Sequence, residues 1–482
     1  MPLFRPLAVV LGIVLIILAS LMLVPLTLTL FGDKVNQGAF LYSSLISLVS
    51  GVLIWAFGKS HTGTLRPREM FLITSGCWVG IPLFAQLPFL MLETPLSFTD
   101  ALFETISGLT TTGSTIMSGL DHTSRDVLLW RSLLQWLGGI GIIGMAVAIL
   151  PFLKVGGMKL FQTESSDWSD KVTPQAHVML KGIVLSYFVL SIGCGLAYYF
   201  GGMSAFDAIN HAMTTVSTGG FSTYDQSFGH FQSATLHWLS VLFMFLASIP
   251  FLHYVRFATH ARFQVFMDSQ ILSLALVLAG STLILAADLT YNHTLDFWHA
   301  LTLSALNVTS VVSTTGFASS DYSQWGHAAV VIFFFLTFVG GCSGSTSGGV
   351  KIFRFQLFII MLKDQLTRSV HPTAITAPKY NGRRVQDDVL VSTITFLFFF
   401  ISTLIVLTFL LSLTGLDLIT SLTGATTALM NVGPGLGDII GPAGNFASLS
   451  DFAKWLLSAG MILGRLEFLA ILILFTRTFW RG

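Results

Sequence analysis

Long apolar runs separated by short polar segments dominate the pattern of residues along this chain. A helix that crosses a bilayer needs about 20 mostly apolar residues. The ten segments that meet this requirement are 7–31, 38–58, 70–92, 127–152, 179–200, 235–258, 270–288, 328–362, 389–412 and 452–478. The first run is too long for the core of a signal peptide, so we interpret it as a span. The pattern predicts an all-α polytopic membrane protein.

Four connections between these spans are too apolar for ordinary loops and too short to cross a bilayer. Each begins with an acidic or hydroxyl residue, continues as a helical run of about 12 residues and ends in a cluster of small residues. The central glycines of the clusters are Gly113, Gly220, Gly316 and Gly433, spaced by 107, 96 and 117 residues. One span precedes and another follows each glycine. The sequence therefore predicts four helix–pore-loop–helix repeats around one central pore, plus two extra N-terminal transmembrane helices.

These repeats divide the chain into five predicted parts. The two extra helices and the four pore repeats cover residues 1–62, 63–165, 166–262, 263–370 and 371–482. The first backbone N–H groups of each half-helix need a capping side chain. We expect Thr99 or Asp100 to cap the first half-helix and Asp207 to cap the second.

Composition excludes a water-soluble protein. Only 10% of the residues are charged, against about 25% in a typical soluble domain, and 53% are hydrophobic, with a mean hydropathy of +0.78. The net charge of +1 offers no basic face for nucleic acid, so we expect no nucleic-acid partner. Cys77, Cys194 and Cys342 are too few and too widely spaced for a zinc site or a disulfide framework.

Lysine and arginine predict the sidedness of the protein. Nineteen lie on the side of the termini, four lie opposite (Lys34, Arg125, Arg131 and Lys454), and Arg465 falls inside a span, which accounts for all 24. By the positive-inside rule both termini are cytoplasmic. The opposite connections carry Asp100, Glu104, Asp121, Asp207, Asp225, Asp296, Asp321, Asp417 and Asp438. We expect a negative vestibule that concentrates cations, with a merely solvated loop surface as the alternative.

The glycine clusters suggest a cation site. Non-helical backbone at membrane depth is tolerated where it is buried or lines a water-filled cavity, and rings of carbonyl oxygens can replace the hydration shell of an ion. The negative ends of the half-helix dipoles favour a cation at the same place. The candidate filter residues are Thr110, Thr111, Thr112 and Gly113; Thr218, Gly219 and Gly220; Thr314, Thr315 and Gly316; and Asn431, Val432 and Gly433. The alternative is that the clusters are small-residue motifs for helix packing.

The four loops, the broken eighth span and the run Gly464-Arg465-Leu466-Glu467 resemble the Trk/Ktr/HKT superfamily of potassium transporters. The two extra N-terminal spans are similar to the TrkH/TrkG branch, and the resemblance covers essentially all of the chain. It implies four non-identical pore repeats around one K⁺ pathway that carries K⁺ into the cell. It also implies a homodimer with one pore per subunit under a cytosolic TrkA-like nucleotide-binding ring. The location it implies is the bacterial cytoplasmic (inner) membrane.

One filter departs from the pattern of the others. Asn431-Val432-Gly433-Pro434 lacks the hydroxyl side chains of the first three loops. Backbone carbonyls do not need a particular side chain, so K⁺ coordination at the filter survives, but the ring is asymmetric. We expect moderate selectivity, with Rb⁺ passing readily and Na⁺ and Li⁺ less well. A Na⁺-permeable member of the same superfamily is the alternative.

The run at 340–349 contains five glycines in ten residues, and each glycine disfavours a helix by about 1 kcal/mol. The resemblance implies that this loop is an intramembrane gate below the filter. Its candidate residues are Gly341, Ser343, Gly344, Ser345, Thr346, Ser347, Gly348 and Gly349. We expect Arg465 to face the cavity under the filter, as a positive barrier that hydrogen-bonds this loop. A structural ion pair with another helix is the alternative for Arg465.

Other interpretations of this run make different predictions. It contains no phosphate-binding G-x-x-x-x-G-K-[ST] match and could be a simple packing kink. Gly341-Cys342-Ser343-Gly344 formally matches an intramembrane serine protease, which also needs a histidine base at the same depth. A receptor or scaffold without transport is a further alternative. We expect no enzyme activity and no organic cofactor, with K⁺ as the transported ion, and the sequence leaves coupling to H⁺ or Na⁺ open.

Two polar segments, 154–181 and 363–388, are predicted to be cytoplasmic. The basic residues that follow the candidate gate are Lys351, Arg354, Lys363, Arg368, Arg383 and Arg384. They are suited to anionic headgroups of membrane lipid or to an acidic regulatory partner. The sequence does not separate these two partners.

Overall fold

The computed structural model describes residues 2–31, 35–59, 65–148, 172–373, 378–466 and 468–481. Two N-terminal helices, α1 (Arg5–Phe31) and α2 (Gln37–Gly58), pack along each other. A Cβ at Gly12 of α1 would lie 2.7 Å from the carbonyl oxygen of Gly51 in α2. Small residues at such crossings allow two membrane helices to approach closely.

The remaining elements follow the predicted order of helix, half-helix, loop and helix. The first set is α3 (Pro67–Ala85), α4 (Leu87–Leu90), α5 (Phe98–Leu109) and α6 (Arg125–Ala148). The second is α7 (Val172–Phe200), α8 (Ala205–Val216), α9 (Ala234–Ala247) and α10 (Phe251–His260). The third is α11 (Ser269–His293), α12 (Phe297–Val312), α13 (His327–Phe338), β1 (Val339–Gly340), β2 (Val350–Lys351) and α14 (Ile352–Val370). The fourth is β3 (Lys379–Tyr380), β4 (Arg383–Arg384), α15 (Asp387–Ser412), α16 (Leu418–Met430), α17 (Asp451–Arg465), α18 (Leu469–Leu472) and α19 (Arg477–Arg481).

Short 3-10 turns complete the described part of the chain. They lie at Pro2–Phe4, Leu120–His122, Ser227–His230, Phe263–Phe266, Tyr322–Gln324 and Ile473–Phe475. The strands form two-residue pairs, parallel between β1 and β2 and antiparallel between β3 and β4. The described part of the chain is thus mostly helical, as predicted. The five domain boundaries stay predictions, and those near residues 62 and 165 lie outside the described residues.

Seven described helices are long and apolar enough to cross a membrane, or eight if the bent pair α9 and α10 counts as one span. They correspond to all the predicted spans except the eighth and the tenth, with the sixth represented by the bent pair. The protein is therefore a multi-pass membrane protein. Three of the ten predicted spans, the sixth, eighth and tenth, are not single continuous helices. The break in the eighth was predicted, and those in the sixth and tenth were not.

Each break has a local cause. The sixth span bends by 85° between α9 and α10 at Pro250, which lacks the N–H that would continue a helix. The eighth is interrupted between Phe338 and Ile352, as the glycine-rich run predicts. The tenth ends at Arg465, and three residues later Phe468 has a φ of +31°, which a helix does not allow.

The half-helices lie at the centre of the molecule. All residues from Ala101 to Leu109 in α5 are buried. Each half-helix packs against a later helix of the preceding repeat: α8 on α6, α12 on α9, and α16 on α13. The helix α5 of the first repeat packs on α17 of the fourth, which closes the circle. The four half-helices and their loops therefore surround one axis.

Candidate functional site

Serines cap the first two half-helices. Ser97 accepts a hydrogen bond from the backbone N–H of Asp100 at 3.1 Å, and Ser204 accepts one from Asp207 at 3.1 Å. The two aspartates occupy the third helical position and accept the serine hydroxyls at 2.9 and 2.7 Å. The prediction of Thr99 or Asp100 and of Asp207 as caps is therefore wrong, since the caps lie two residues before Thr99 and three before each aspartate. The serines stand just before the first helical turn, where a side-chain oxygen reaches the first-turn N–H groups.

Aspartates cap the other two half-helices directly. Asp296 accepts from two backbone N–H groups at the start of α12, and Asp417 does the same for α16. Hydrogen bonds from Thr420 and the backbone stabilise the Asp417 carboxylate and lower its pKa below the ordinary value. Each half-helix thus begins at a capped N-terminus and ends where its central loop begins.

The four glycine loops share one backbone conformation. The central glycines have φ values of +87°, +82°, +82° and +111°, for Gly113, Gly220, Gly316 and Gly433. The residue two places earlier is also left-handed in each loop: Thr111, Thr218, Thr314 and Asn431, with φ between +51° and +60°. Non-glycine residues rarely adopt this conformation. Its recurrence at eight matched positions makes the four loops structural copies of one another.

The loops also contact one another in a closed ring. A Cβ added to Gly113, Gly220 or Gly316 would overlap a carbonyl oxygen of the next loop, and one at Gly433 would lie 2.9 Å from a carbonyl oxygen of the first loop. Those oxygens belong to Gly219, Thr315, Val432 and Thr112, the residues just before each glycine. We call this arrangement the glycine ring. All four glycines line one cavity of about 280 Å³.

Side-chain bonds hold the segment before each glycine in different ways. The hydroxyls of Thr110 and Thr112 are 2.7 Å apart in the first loop, and Ser313 and Thr315 repeat this contact in the third. In the fourth loop, Asn431 reaches across to the first and donates to Thr112 Oγ1 at 2.9 Å. The amide of Asn431 thus links the two loops at the point where the hydroxyls are missing.

Each loop is tied to its own half-helix just after the glycine. The bonds run from Ile116 N to Glu104 Oε2 (2.9 Å), Thr223 Oγ1 to Asp207 Oδ1 (2.8 Å), Ser319 N to Asn307 Oδ1 (3.1 Å) and Leu436 N to Thr423 Oγ1 (3.1 Å). The anchoring side chains lie nine residues before the glycine in the first and third loops and ten before it in the fourth. Sequence analysis did not identify these anchors, since their chemical types differ between repeats.

A buried ion pair joins the first two loops. Arg131 Nε lies 2.8 Å from Glu104 Oε1, with both side chains almost fully buried. Arg131 also donates to the carbonyl oxygen of Ser222 at 3.0 Å and to Thr115 Oγ1 at 3.1 Å. Its guanidinium lies 4.2 Å from the centre of the Phe221 ring. The sequence analysis counted both residues among the charges on the side opposite the termini. In the structure, Arg131 and Glu104 form a buried ion pair behind the glycine ring, here called the clamp.

Removal of one charge from this clamp is expected to destabilise the protein strongly. Glu104→Gln leaves the buried guanidinium of Arg131 without a counter-charge, which costs about 3–5 kcal/mol. Thermal unfolding in detergent measures the effect as a lower transition temperature. Asp364→Asn is the matched control, because its partner Arg368 is half exposed and such a pair contributes at most about 0.5 kcal/mol. Equal transition temperatures for the two variants would contradict a stabilising role for the clamp.

Few of the acids expected to form a negative vestibule line the glycine-ring cavity. Among the described residues that line it, Asp225 is the only acid, and Arg131 is also present. Asp100 pairs with Lys454 at 2.6 Å, and Asp321 caps a 3-10 turn. Most of the nine acids counted in the sequence thus stabilise local structure.

The run at 340–349 forms a buried loop between β1 and β2, here called the gate loop. Cys342, Ser343, Ser345, Thr346 and Ser347 are all buried. The bonds within the loop and to its flanks run from Ser345 Oγ to Cys342 O (2.7 Å), Ile352 N to Gly341 O (3.2 Å), Ser343 N to Gln270 Oε1 (3.0 Å) and Lys351 Nζ to Ser347 O. The gate loop is therefore a bonded, packed element.

The gate loop completes the broken backbone of the α9–α10 bend. Cys342 N donates to the carbonyl oxygen of Ser248 at 3.0 Å, and Phe251 N donates to the carbonyl oxygen of Gly344 at 3.0 Å. A helix break at membrane depth leaves such groups without partners. The bend and the gate loop therefore stabilise each other.

The gate loop also contacts the C-terminal ends of three half-helices. The bonds run from Thr346 Oγ1 to Val216 O (3.1 Å), Gly348 N to Thr314 Oγ1 (2.6 Å) and Gly349 N to Met430 O (2.9 Å). These partners lie two to four residues before the central glycines of their loops. The loop therefore lies across the axis, on the half-helix C-terminal side of the glycine ring.

Arg465 holds the gate loop from the fourth repeat. Arg465 is buried, and its Nη2 donates to the carbonyl oxygen of Thr346 at 2.8 Å. Nε and Nη1 have no hydrogen-bond partner among the described residues. Arg465 and the loop line a small cavity of about 60 Å³ together with Lys351 and Arg354. Glu467 lies outside the described residues.

The protease interpretation lacks its catalytic geometry. Among the described residues, no hydrogen bond joins Ser343 to a histidine. His253 Nε2 lies 3.3 Å from Asp268 Oδ2, and its Nδ1 has no hydrogen-bond partner within the described ranges. A serine without a base in contact is not an activated nucleophile.

Some of the basic residues after the gate loop are not on the surface. Arg354 is buried with its guanidinium 3.7 Å from the centre of the Phe396 ring, whereas Lys363, Arg368 and Arg384 are exposed. Parts of the predicted cytoplasmic segments, residues 154–171 and 374–377, lie outside the described residues.

Comparisons with known proteins agree with the resemblance. A family model for TrkH, described as a cation transport protein, matches residues 36–481. The Trk system potassium uptake protein TrkI of Halomonas elongata is 47% identical over 479 residues, which are 99% of this chain and 97% of that protein. TrkH of Escherichia coli is 35% identical over 491 residues and 99% of both chains. The crystal structure of the potassium transporter TrkH from Vibrio parahaemolyticus superposes with a TM-score of 0.91 at 32% identity, over 99% of this chain and 100% of that one.

These relatives are named as transport proteins, which agrees with the prediction that the chain is not an enzyme. The family predicted from the loops, the broken span and the glycine-arginine run is confirmed. The match extends over nearly all of the sequence and over the complete fold. We conclude that this chain belongs to the TrkH family of cation transport proteins.

Proposed function

We propose that this protein carries K⁺ into the cell through the glycine ring. The observation that carries the proposal is the ring itself: four left-handed glycine loops meet on one axis and line one cavity. The names of the relatives, potassium uptake proteins and a potassium transporter, support K⁺ as the ion. The four predicted repeats then supply one loop each to a single pathway.

The chemistry of the ring fits a weakly hydrated cation. Backbone carbonyls of the four loops replace part of the hydration shell of K⁺, and the half-helix C-terminal ends add partial negative charge. Thr111 Oγ1 and Asn431 Oδ1 are buried near the ring and have no hydrogen-bond partner in the described part of the chain. These two oxygens are available as further ligands for K⁺. We assign the filter to the thirteen residues predicted from the sequence.

We also propose that the gate loop closes this pathway. It lies across the axis and is tied to repeats two, three and four, with Arg465 and Met430 O as the bonds to the fourth. A fixed positive charge next to the path opposes the passage of K⁺. Opening then requires the bond between Arg465 and Thr346 O to break and the loop to leave the half-helix ends. The loop residues from Gly341 to Gly349 and Arg465 form the gate.

The cytoplasmic face is proposed to bind a regulator. The exposed residues Lys363 and Arg368 lie on α14, the helix that follows the gate loop, and the exposed Arg384 lies in β4. A partner bound to α14 can therefore pull on the gate. The family resemblance implies a TrkA-like nucleotide-binding ring and a homodimer with one pore per subunit. It also implies the inner membrane, with both termini in the cytoplasm.

Flux measurements on the purified chain in liposomes test the proposed function. We expect Rb⁺ and K⁺ uptake down imposed gradients to exceed Na⁺ and Li⁺ uptake, with a moderate ratio because the fourth loop is asymmetric. Equal Na⁺ and K⁺ uptake would favour the Na⁺-permeable alternative. Absence of flux both in the wild type and in a variant with the gate loop shortened would contradict a pore. Empty liposomes provide the background rate.

A further inference from the structure

The second loop differs from the others at the residue just before its central glycine. The first, third and fourth loops carry Thr112, Thr315 and Val432 there, and the second carries Gly219. Gly219 is not among the residues with positive φ, so its backbone does not require glycine. The missing side chain must therefore have another cause.

Gln135 of α6 occupies the space that a side chain at position 219 would need. A Cβ added to Gly219 would overlap the Gln135 carboxamide. Gln135 is fully buried, its Nε2 donates to the carbonyl oxygen of Gly219 at 2.6 Å, and its Oε1 accepts from Phe221 N at 3.0 Å. The carboxamide thus holds the backbone on both sides of Gly220.

These bonds replace a contact that the first and third loops make internally. There, the hydroxyl before the glycine bonds to a hydroxyl two residues earlier, in the pairs Thr112–Thr110 and Thr315–Ser313. The corresponding residue of the second loop, Ser217, faces no hydroxyl two residues later, because residue 219 is glycine. Ser217 keeps only the bond to the carbonyl oxygen of Thr214 at 3.3 Å, which Ser313 also makes to Ser310 in the third loop. A side chain from a different repeat therefore orders the second loop.

We propose that Gln135 is a positioning residue that sets K⁺ over Na⁺ selectivity by fixing the second filter loop. This inference rests on the proposed function of the glycine ring. The bond to Gly219 O holds that carbonyl beside Gly113 of the first loop, where a Cβ would overlap it. Without the bond the carbonyl is free to turn and approach a smaller ion, and the number and placement of such ligands distinguish K⁺ from Na⁺.

Gln135→Met tests the two hydrogen bonds, because methionine has a similar length and no amide. We expect the ratio of Rb⁺ to Na⁺ uptake in liposomes to fall roughly fivefold, the order of effect of one hydrogen bond. Gln86→Met is the matched control: Gln86 is also a buried glutamine bonded to a backbone carbonyl, that of Leu83. It should retain the wild-type ratio.

A compensating pair of substitutions separates positioning from simple packing. Gly219→Thr alone crowds Gln135 and is expected to lower the ratio. Gln135→Ala with Gly219→Thr removes the obstruction and gives the second loop the threonine of the first and third, opposite Ser217. We expect this double variant to recover the ratio to within about twofold of the wild type, since its hydroxyl contact is worth about as much as the lost bond.

The outcomes separate this inference from the proposed function. A selective wild type with an unchanged ratio in Gln135→Met overturns the role of Gln135 and leaves the filter in place. A double variant no more selective than Gly219→Thr alone also overturns it. A wild type that does not discriminate between Rb⁺ and Na⁺ contradicts the proposed filter itself. If Gln135→Met does not fold, as judged by gel filtration and thermal unfolding, the two Gly219 variants decide the question.

Discussion

Gly316→Ser is expected to abolish discrimination between K⁺ and Na⁺, so that the ratio of Rb⁺ to Na⁺ uptake falls to about one. Gly316 has a φ of +82°, where a side chain costs about 1–2 kcal/mol. The added Cβ would also overlap the carbonyl oxygen of Val432 and lie 3.0 Å from Pro434 Cδ. The third and fourth loops must therefore separate, and the ring loses its spacing. Isotope uptake into liposomes measures the ratio.

Gly415→Ser provides the control for backbone strain. Gly415 lies in the turn between α15 and α16 with a φ of +87°, and no atom lies within 4 Å of the place where its Cβ would be. This substitution introduces the same conformational cost without disturbing the ring. It should keep the wild-type ratio. A Gly316→Ser variant that discriminates as well as the wild type would show that the ring does not select the ion.

The glycine ring could be predicted because its main requirement appears as a residue type. A left-handed backbone pressed against a neighbouring carbonyl admits only glycine, and the same residue recurs at 113, 220, 316 and 433. The second left-handed position of each loop gave no such signal. It holds threonine or asparagine, which also occur in helices and ordinary turns.

The supports behind the ring could not be predicted, because they join residues that are distant in sequence. Gln135 lies 84 residues from the carbonyl it holds, and Arg131 lies 91 residues from Ser222. In the other loops, the segment before the glycine is held by threonine, serine and asparagine side chains. No residue type therefore recurs at matched positions to mark these contacts in the sequence. Tertiary packing alone creates these contacts.

The breaks in the helices could be predicted only in part from the sequence. The glycine-rich run marked the gate loop, and Pro250 was available as a signal for the bend between α9 and α10. The end of α17 had a weaker signal. Gly464 packs against the carbonyl oxygen of Leu429, so glycine there reflects a close approach that only the fold reveals.

In the proposed closed state, the gate loop is held by a small number of polar contacts that can be removed singly. Thr346 is fully buried and its hydroxyl lies within hydrogen-bond distance of Val216 O and Ala247 O, at 3.1 and 3.2 Å. Its carbonyl oxygen accepts the bond from Arg465. One residue thus connects the second and fourth repeats through the loop. Loss of any one of these contacts should therefore destabilise the proposed closed state.

Arg465→Ala is expected to raise the Rb⁺ uptake of the purified chain, without any partner, roughly tenfold or more. The substitution removes a charged hydrogen bond worth about 1.5–3 kcal/mol from the closed state, together with the positive charge beside the path. Arg465→Lys keeps the positive charge but lacks the guanidinium geometry. A smaller rise in uptake for this variant than for Arg465→Ala would give the share of the effect that comes from the charge, and the remainder comes from the hydrogen bond. Rates of isotope uptake into liposomes at matched protein density measure both effects.

Thr346→Val keeps the shape of the side chain and removes only the hydroxyl, so it tests the loop contact without altering any charge. We expect uptake to rise in this variant as well, by roughly threefold to tenfold for one or two lost bonds. Thr393→Val is the control, because Thr393 is also buried but bonds within its own helix to the carbonyl oxygen of Val389. If both Arg465→Ala and Thr346→Val show the wild-type rate while the wild type conducts, the loop does not limit permeation.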